Sequence, residues 1–490
     1  MTSENRAPRG WNSPKEWSRR PFRLIVLVGA ALTVGLFVAP SRAAKAETIE
    51  SALARAYQNN PQLNAQRAIV RQTDESVPQA LSGYRPSVNA TATLQRQYSN
   101  LQQTIPATPP LIQNGLSIAA QGMSTPRSVG GNVSQTLFNG NQTANKVRAS
   151  ESQVSAARET LRVMEESVLL AAATVYMDMS RDSANLEVQQ NNVKVLDRTL
   201  TDTRNRFNAG AVTDTDVAQA ESQLAAGQAT LHAAEAALET TRANYRRIIG
   251  VDPSNLAPAS SVERLAPPTL NGAVALGVAQ NPNVLAAMYG VDVALLQVKI
   301  AEGALYPTLT AQYNVQYNIF PQLLSPKVFT DTFGLNLSVP IYQGGGEYST
   351  IRGNKEALGQ QQLNVDQVRD QTRANVATAW AQLQAAKAQI EAAQRQNVAA
   401  ERALNGVRNE AMVGQRTTQD VLIAEQNLVN ARQNLIVAQH DRVVSSYSLL
   451  SAVGRLTAQD LALPVQIYDP TVHYQQVRDA WIGVRTPDGR

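Results

Sequence analysis

The chain is 490 residues long, 43% hydrophobic but only 5% aromatic, with 44 Lys/Arg against 39 Asp/Glu, three histidines and no cysteine. Without cysteine there is no disulfide framework, no thiolate metal site and no cysteine-linked lipid anchor. With few aromatics and apolar residues set on stripes, burial is expected along helix seams and not in several thick globular cores.

The first element is an export signal. Arg19, Arg20 and Arg23 precede an apolar run from Leu24 to Ala39, and Ala44-Lys45-Ala46 offers an A-x-A cleavage site. This is the pattern of a secretory signal peptide over residues 1–46, and the run is short for a membrane-spanning helix. Cutting after Ala46 removes eight of the 44 basic residues and two of the 39 acidic ones, so the mature chain is close to neutral. Its net charge therefore carries no footprint of nucleic-acid binding.

The mature chain is written twice. Thr48, Pro61 and Pro86 in the first copy (47–268) recur at identical spacing as Thr269, Pro282 and Pro307 in the second (269–453). Gly140, Gly210, Asp216 and Gly250 recur as Gly344, Gly414, Asp420 and Gly454, and a tail runs on over 454–490. Such self-similarity must be found before a fold is assigned. Each copy reads as a short helix, a strand pair, a very long helix and a returning helix.

The strands alternate with a period of two. Over about 87–98, Val88, Ala90, Ala92, Leu94 and Tyr98 lie opposite Asn89, Thr91, Thr93, Gln95 and Gln97. The pattern repeats over about 308–319 and 332–340, and more weakly over 129–138, where Gln135 falls on the apolar side. One face apolar and the other uncharged polar suits a sheet between lipid and a watery lumen. Four strands cannot close a barrel, and open edges in lipid leave backbone groups unpaired, so further copies are required; three copies would supply twelve strands. The linkers 100–127 and 320–331 are expected to be outward loops.

The helices carry heptad steps. About 141–207 has no proline, with Val147, Val154, Leu161, Val168 and Val175 in one run and Leu186, Val193, Leu200 and Phe207 in the next. The second copy repeats this over about 345–411, and the returning helices span about 213–249 and 417–453. At 1.5 Å per residue the long helix spans roughly 100 Å, and a return helix plus the helix from Asn283 to Tyr306 nearly equals it. The expected path is down by one long helix and back by two short ones. A side layer at their junction would hold 251–280 and the tail.

Catalysis finds no support here. His232, His440 and His473 are far apart in sequence, and Gly344-Gly345-Gly346 lacks the Lys-Ser/Thr ending of a phosphate loop. No cofactor is implied. A periplasmic coiled-coil adaptor is the rival reading, but it would need neither lipid-type alternation nor the duplication.

Two motif sets carry a family resemblance. Ser134-Gln135-Thr136-Leu137-Phe138-Asn139-Gly140 and Leu337-Ser338-Val339-Pro340-Ile341-Tyr342-Gln343-Gly344 stand at strand-to-helix junctions, and the distal turns Gly210–Val217 and Val413–Leu422 stand at helix reversals. Over essentially its whole mature length the chain resembles TolC-type outer-membrane efflux and secretion channels. The resemblance implies an α+β membrane protein: a homotrimer with a twelve-stranded β-barrel in outer-membrane lipid, continued by a periplasmic α-helical tunnel. It implies no enzyme activity. It also implies a periplasmic adaptor and an inner-membrane pump, of the resistance-nodulation (RND) or ABC class, docking at the distal turns (Ala209, Gly210, Val212, Val413, Gly414, Gln415).

Within those turns Gly210 and Gly414 permit the reversal, and Thr213 and Thr417 are expected N-caps with Asp216 and Asp420 three residues on. The aspartates serve either the helix starts or a gate. In the resembled family an arginine placed like Arg416 pins neighbouring helices to an aspartate placed like Asp216, and Asp420 matches an acidic ring position. Ile423 and Ala411 depart from the pattern of the best-known member, which has Asp and Tyr there, so fewer polar links are expected to hold the gate.

Overall fold

The computed structural model describes residues 46–105, 116–322, 325–487 and 489. The signal-peptide reading, Ala44 included, falls outside the described residues apart from Ala46.

Helices α1 (Ile49–Asn59), α2 (Pro61–Asp74) and α3 (Ser76–Leu81) lead into strands β1 (Ser87–Leu94), β2 (Gln97–Ile105), β3 (Leu116–Ser124) and β4 (Arg127–Asn139). The long helix α4 (Gln142–Asn208) and its return α5 (Asp214–Ile249) complete the first copy. The second runs α6 (Leu270–Gln280), α7 (Pro282–Gly303), β5 (Thr308–Gln322), β6 (Ser325–Ser338), α8 (Gly346–Met412) and α9 (Thr418–Val453), followed by α10 (Pro470–Val477).

Strands β1-β4-β5-β6 form one antiparallel sheet whose outer strands, β1 and β6, each keep an unpaired edge. Its register puts Val88, Val133, Tyr313 and Phe333 in one row and Asn89, Asn132, Asn314 and Thr332 in the next. The two faces are thus apolar and amide- or hydroxyl-lined, as the alternation implies. Asp331 is an exception. It opposes Val315 in the apolar rows and is hydrogen-bonded to Tyr313. A β-bulge between Thr136 and Phe138 explains why alternation fades near the end of β4. There the Gln135 amide donates to the Tyr84 carbonyl at 3.2 Å.

Three expectations fail. The strand read over 87–98 ends at Leu94, and Tyr98 belongs to β2. Segment 100–127 is not simply a loop, because β2 and β3 pair as a separate ribbon. Likewise β5 and β6 extend through most of 320–331. In each case polar, Gln-rich sequence suggests a loop, although a solvent-exposed ribbon needs no apolar face.

The long helices are equal, with 67 residues each, and so are the returns, with 36 each. Val154, Leu161, Val168, Val175 and Leu200 are buried in the seam, whereas Phe207, last in the step, is exposed near the tip. The stacking differs from the expected path. Helix α7 does not continue α5; it sits on the end of α9. The Asn281 amide donates to the Ala452 carbonyl at 3.0 Å, while its carboxamide oxygen caps α7 by accepting from Asn283 N–H. In the first copy, Asn60 caps α2 and donates to the Ile248 carbonyl of α5 at 3.2 Å. Each return helix is therefore extended by the helix that precedes its own copy's strands. Helix periodicity cannot reveal this, because the joint links residues 188 and 171 positions apart.

A core cluster at the joint level packs Leu53, Tyr57, Leu169, Tyr176, Tyr245 and Tyr447. The tail does not remain there. Leu456, Ala458 and Leu463 join the cluster, but α10 then runs along α2, with His473 Nδ1 and Asp74 Oδ2 3.0 Å apart.

Below the joint, buried His440 of α9 lies between Asp178 of α4 (3.0 Å) and its neighbour Asp441 (2.9 Å). Arg181 bridges Asp178 and Asp182, and Asp182 accepts from Thr241 of α5. Burial would lower the His440 pKa, but the bonds to Asp178 and Asp441 outweigh it and raise the value. A raised histidine pKa stabilises the fold fully below the unfolded value of about 6.5 and loses that contribution as pH rises through the folded value. Thermal midpoints of the wild type are expected to fall relative to His440→Gln as pH is raised from about 6.5; parallel curves would show that the imidazolium contributes nothing.

Gly454 and Gly414 separate packing from backbone strain. Both have positive φ, 87° and 78°. A Cβ on Gly454 would stand 2.7 Å from Asn281 Cα, whereas one on Gly414 meets nothing within 4 Å. Gly414→Ala should cost about 1–2 kcal/mol for the left-handed conformation alone. Gly454→Ala should lower the midpoint of helical melting by clearly more, measured by circular dichroism.

Candidate functional site: the distal turns

Both long helices end in the same turn. At the end of α4, Ala211 N–H donates to Arg206 C=O (2.9 Å) and Gly210 N–H to Phe207 C=O (2.9 Å). At the end of α8, Gln415 N–H reaches Glu410 C=O (2.9 Å) and Gly414 N–H reaches Ala411 C=O (3.3 Å). These are paired Schellman closures, which need a residue of positive φ and so select glycine. Two residues later each return helix starts with a reciprocal capping box. Asp216 Oδ2 accepts from Thr213 N–H at 2.9 Å, and Asp420 Oδ2 accepts from Thr417 N–H at 3.0 Å. The threonine hydroxyls accept from the aspartate N–H groups at 3.4 and 3.2 Å.

The caps set the charge state. Hydrogen bonds from the Thr213 hydroxyl and N–H hold the Asp216 carboxyl below its ordinary pKa, and those from the Thr417 N–H and hydroxyl do the same for Asp420. Both are anionic at neutral pH. Arg416 does not meet Asp216 within the protomer. Its Nε donates to Glu410 Oε2 at 2.9 Å, which raises the guanidinium pKa further. The turns also expose apolar surface: Met412 and Val413 are 77% and 71% accessible, and Ile423 is half exposed. Ala411 is buried.

The chain that carries these tips, with its twin long helices and four-stranded sheet, is similar to known proteins over most of its length. The chain matches the outer membrane efflux protein family over residues 52–251 and 276–455. It belongs to that family. The outer membrane efflux protein BepC of Brucella suis is 40% identical to it over 466 residues, covering 95% of this chain and 98% of the relative. The outer membrane protein TolC of Vibrio cholerae is 26% identical over 430 residues, covering 86% and 94%. Among solved structures, the Campylobacter jejuni CmeC outer membrane channel matches in fold with a TM-score of 0.71 at 16% identity, over 88% of this chain and 89% of its own. The protein is thus an outer-membrane efflux channel with a periplasmic tunnel, and the adaptor reading is set aside.

One contact near the tip is not legible in the sequence. Just above the tip, Glu425 of α9 is only 4% exposed and accepts from Arg408 of α8 at 2.9 Å and from Thr199 of α4 at 3.4 Å. It ties the second helix pair to the first. Its Oε2 is buried without a partner and borders a cleft lined by Arg198, Asp202 and Arg206 of α4 and by Met412 and Thr418. Glutamate within a heptad helix reads as a solvated face; only the approach of α4 makes it a clamp.

Two outcomes are expected at the tip. Thr213→Ala removes a cap worth about 1 kcal/mol, so first-turn amides of α5 should exchange several-fold faster while mid-helix amides do not change. A depressed carboxylate pKa stabilises above its unfolded value of about 3.9 and loses that contribution as pH falls through the folded value. Protection at the starts of α5 and α9, corrected for intrinsic exchange, should therefore stay constant from neutral pH down to about pH 4 and weaken only below it.

Proposed function

We propose that three copies of the chain form a passive duct whose tunnel is closed at the distal turns and opened by a partner docking there. The observation that carries this reading is the doubled tip: two turns of the same backbone build, each closed by a capping box, at the ends of two 67-residue helices, the second also exposing Met412 and Val413. In the trimer the twelve strands remove the open edges of β1 and β6, and the apolar rows face outer-membrane lipid.

Asp216, Arg416 and Asp420 form the gate in this reading. Each capping box uses Oδ2 of its aspartate, which leaves Oδ1 to accept from an arginine of a neighbouring copy. The Arg416–Glu410 pair is about half exposed on both sides, and an ion pair so placed is weak enough to be exchanged for another. Ala209, Gly210, Val212, Val413, Gly414 and Gln415 form the docking surface for a periplasmic adaptor, with an RND or ABC pump beneath it in the inner membrane.

Arg416→Ala should raise ion conductance in planar bilayers without any pump present; unchanged conductance would remove Arg416 from the gate. For docking, the missing cysteines make Val413→Cys a unique attachment point for a photo-crosslinker in cells. Capture of an RND-type adaptor would assign small-molecule efflux, and capture of an ABC-associated adaptor would assign protein secretion. If no periplasmic protein is captured, the docking tip lies elsewhere.

A further inference from the structure

The segment after α10 ends its run along α2 at the strand–helix boundary. Arg85, two residues before β1, donates to the Ala480 carbonyl at 2.6 Å, and its guanidinium lies over the Trp481 ring, 4.6 Å from the centroid. These contacts hold Trp481 at the level where the sheet begins. Beyond it the chain presents almost bare apolar side chains: Trp481 is 68% exposed, Ile482 96% and Val484 100%. A folded chain does not ordinarily leave such a run in water.

The surroundings indicate what covers it. Exposed Tyr84, Tyr306 and Tyr342 occupy the junctions before β1, before β5 and after β6, and exposed Phe138 is the second-last residue of β4. Aromatic side chains of this kind gather where a bilayer meets water, with the ring in the headgroup boundary and its polar edge wet. Arg85 and Arg485 flank the apolar run, placing cations beside it that suit lipid phosphates. The chain also has no cysteine to carry a covalent lipid.

We propose that Trp481–Val484 is an interfacial anchor that inserts into the headgroup boundary of the periplasmic leaflet, with phospholipid as its partner. The proposal rests on the reading that the sheet crosses the outer membrane. Arg85 acts as the bracket that aims the anchor, so that the tail fastens the periplasmic rim of each copy to the leaflet beside it. The binding is of the shallow, surface-lying kind, made by a few apolar side chains and nearby cations.

Processing after Ala46 leaves only Trp380 and Trp481 among the four tryptophans, which makes the test direct. Trp380 lies in α8, 34 residues beyond its first residue Gly346 and so about 50 Å along the helix. The mature Trp380→Phe protein, reconstituted in phosphatidylcholine vesicles, reports on Trp481 alone. Lipids brominated high on the acyl chain should remove most of its emission, and lipids brominated near the chain end should remove less. Arg85→Ala should reduce the quenching. A parallel protein carrying Trp380→Phe, Trp481→Phe and Phe333→Trp reports on the apolar face of the sheet. If that tryptophan is quenched and Trp481 is not, the anchor is disproved and the barrel stands. A blue, unquenched Trp481 would place it against a neighbouring copy, and a red one would place it in water. If neither tryptophan is quenched, both the anchor and the transmembrane sheet fall.

Discussion

The protomer depends on one joint, made twice. A 67-residue helix forms one wall, and no single returning helix matches it, so two shorter helices must meet end to end beside it. Meeting ends expose carbonyls on one side and N–H groups on the other, which is unfavourable in a packed wall. Asn60 and Asn281 resolve this by using both ends of one carboxamide. The oxygen caps the incoming helix and the nitrogen donates to the last carbonyls of the outgoing one. Proline at the following position, Pro61 or Pro282, lacks the N–H that would otherwise be orphaned. The backbone of Gly454 then lets the two ends approach to where any side chain would strike Asn281.

This joint also shows where the sequence is readable. The duplication, the heptad steps, the alternation and the Gly–x–x–Thr–x–x–Asp turns are local patterns, and each states a local geometry. The Schellman closures and capping boxes therefore stand where Gly210, Thr213, Gly414 and Thr417 place them. Asn281-Pro282 is equally visible as a helix start, but nothing local says that its amide reaches Ala452. The same limit hides the clamp at Glu425, the course of α10 along α2 and the meeting of Arg85 with Trp481, all of which join distant parts of the chain. The β2–β3 ribbon is hidden for another reason. It buries little, so it carries no apolar alternation for periodicity to detect.

The helix seams are more polar than their heptads suggest, and the charges are handled in three ways. His440 sits between two carboxylates, whose hydrogen bonds raise its pKa against the effect of burial. Glu425 is kept against Arg408. Glu166, 4% exposed with one oxygen lacking a partner, is pushed up by burial to about 8 and is mainly protonated at neutral pH. A neutral carboxylic acid is far cheaper to bury than an ion. The wall at Glu166 is therefore apolar in effect though not in composition.

If the gate lies at the tip, as proposed, the bonding of the turns constrains how it would open. Each distal turn is closed from both sides, by a Schellman pair on the incoming helix and a capping box on the outgoing one, so unwinding a turn would break several bonds at once. The contacts between the helix pairs are fewer and easier to exchange. Near the tip, among the described residues, the side-chain hydrogen bond that joins them is Glu425 with Thr199 at 3.4 Å, beside a cleft. Under the docking proposed above, a partner that pulled on the turns would move whole helix pairs as rods, pivoting from the joint at Asn281 and Gly454 and parting first at Glu425. On this view the stability of the turns and the weakness between the pairs are one device, because only a turn that does not unwind can pass a docking force along the helices it connects.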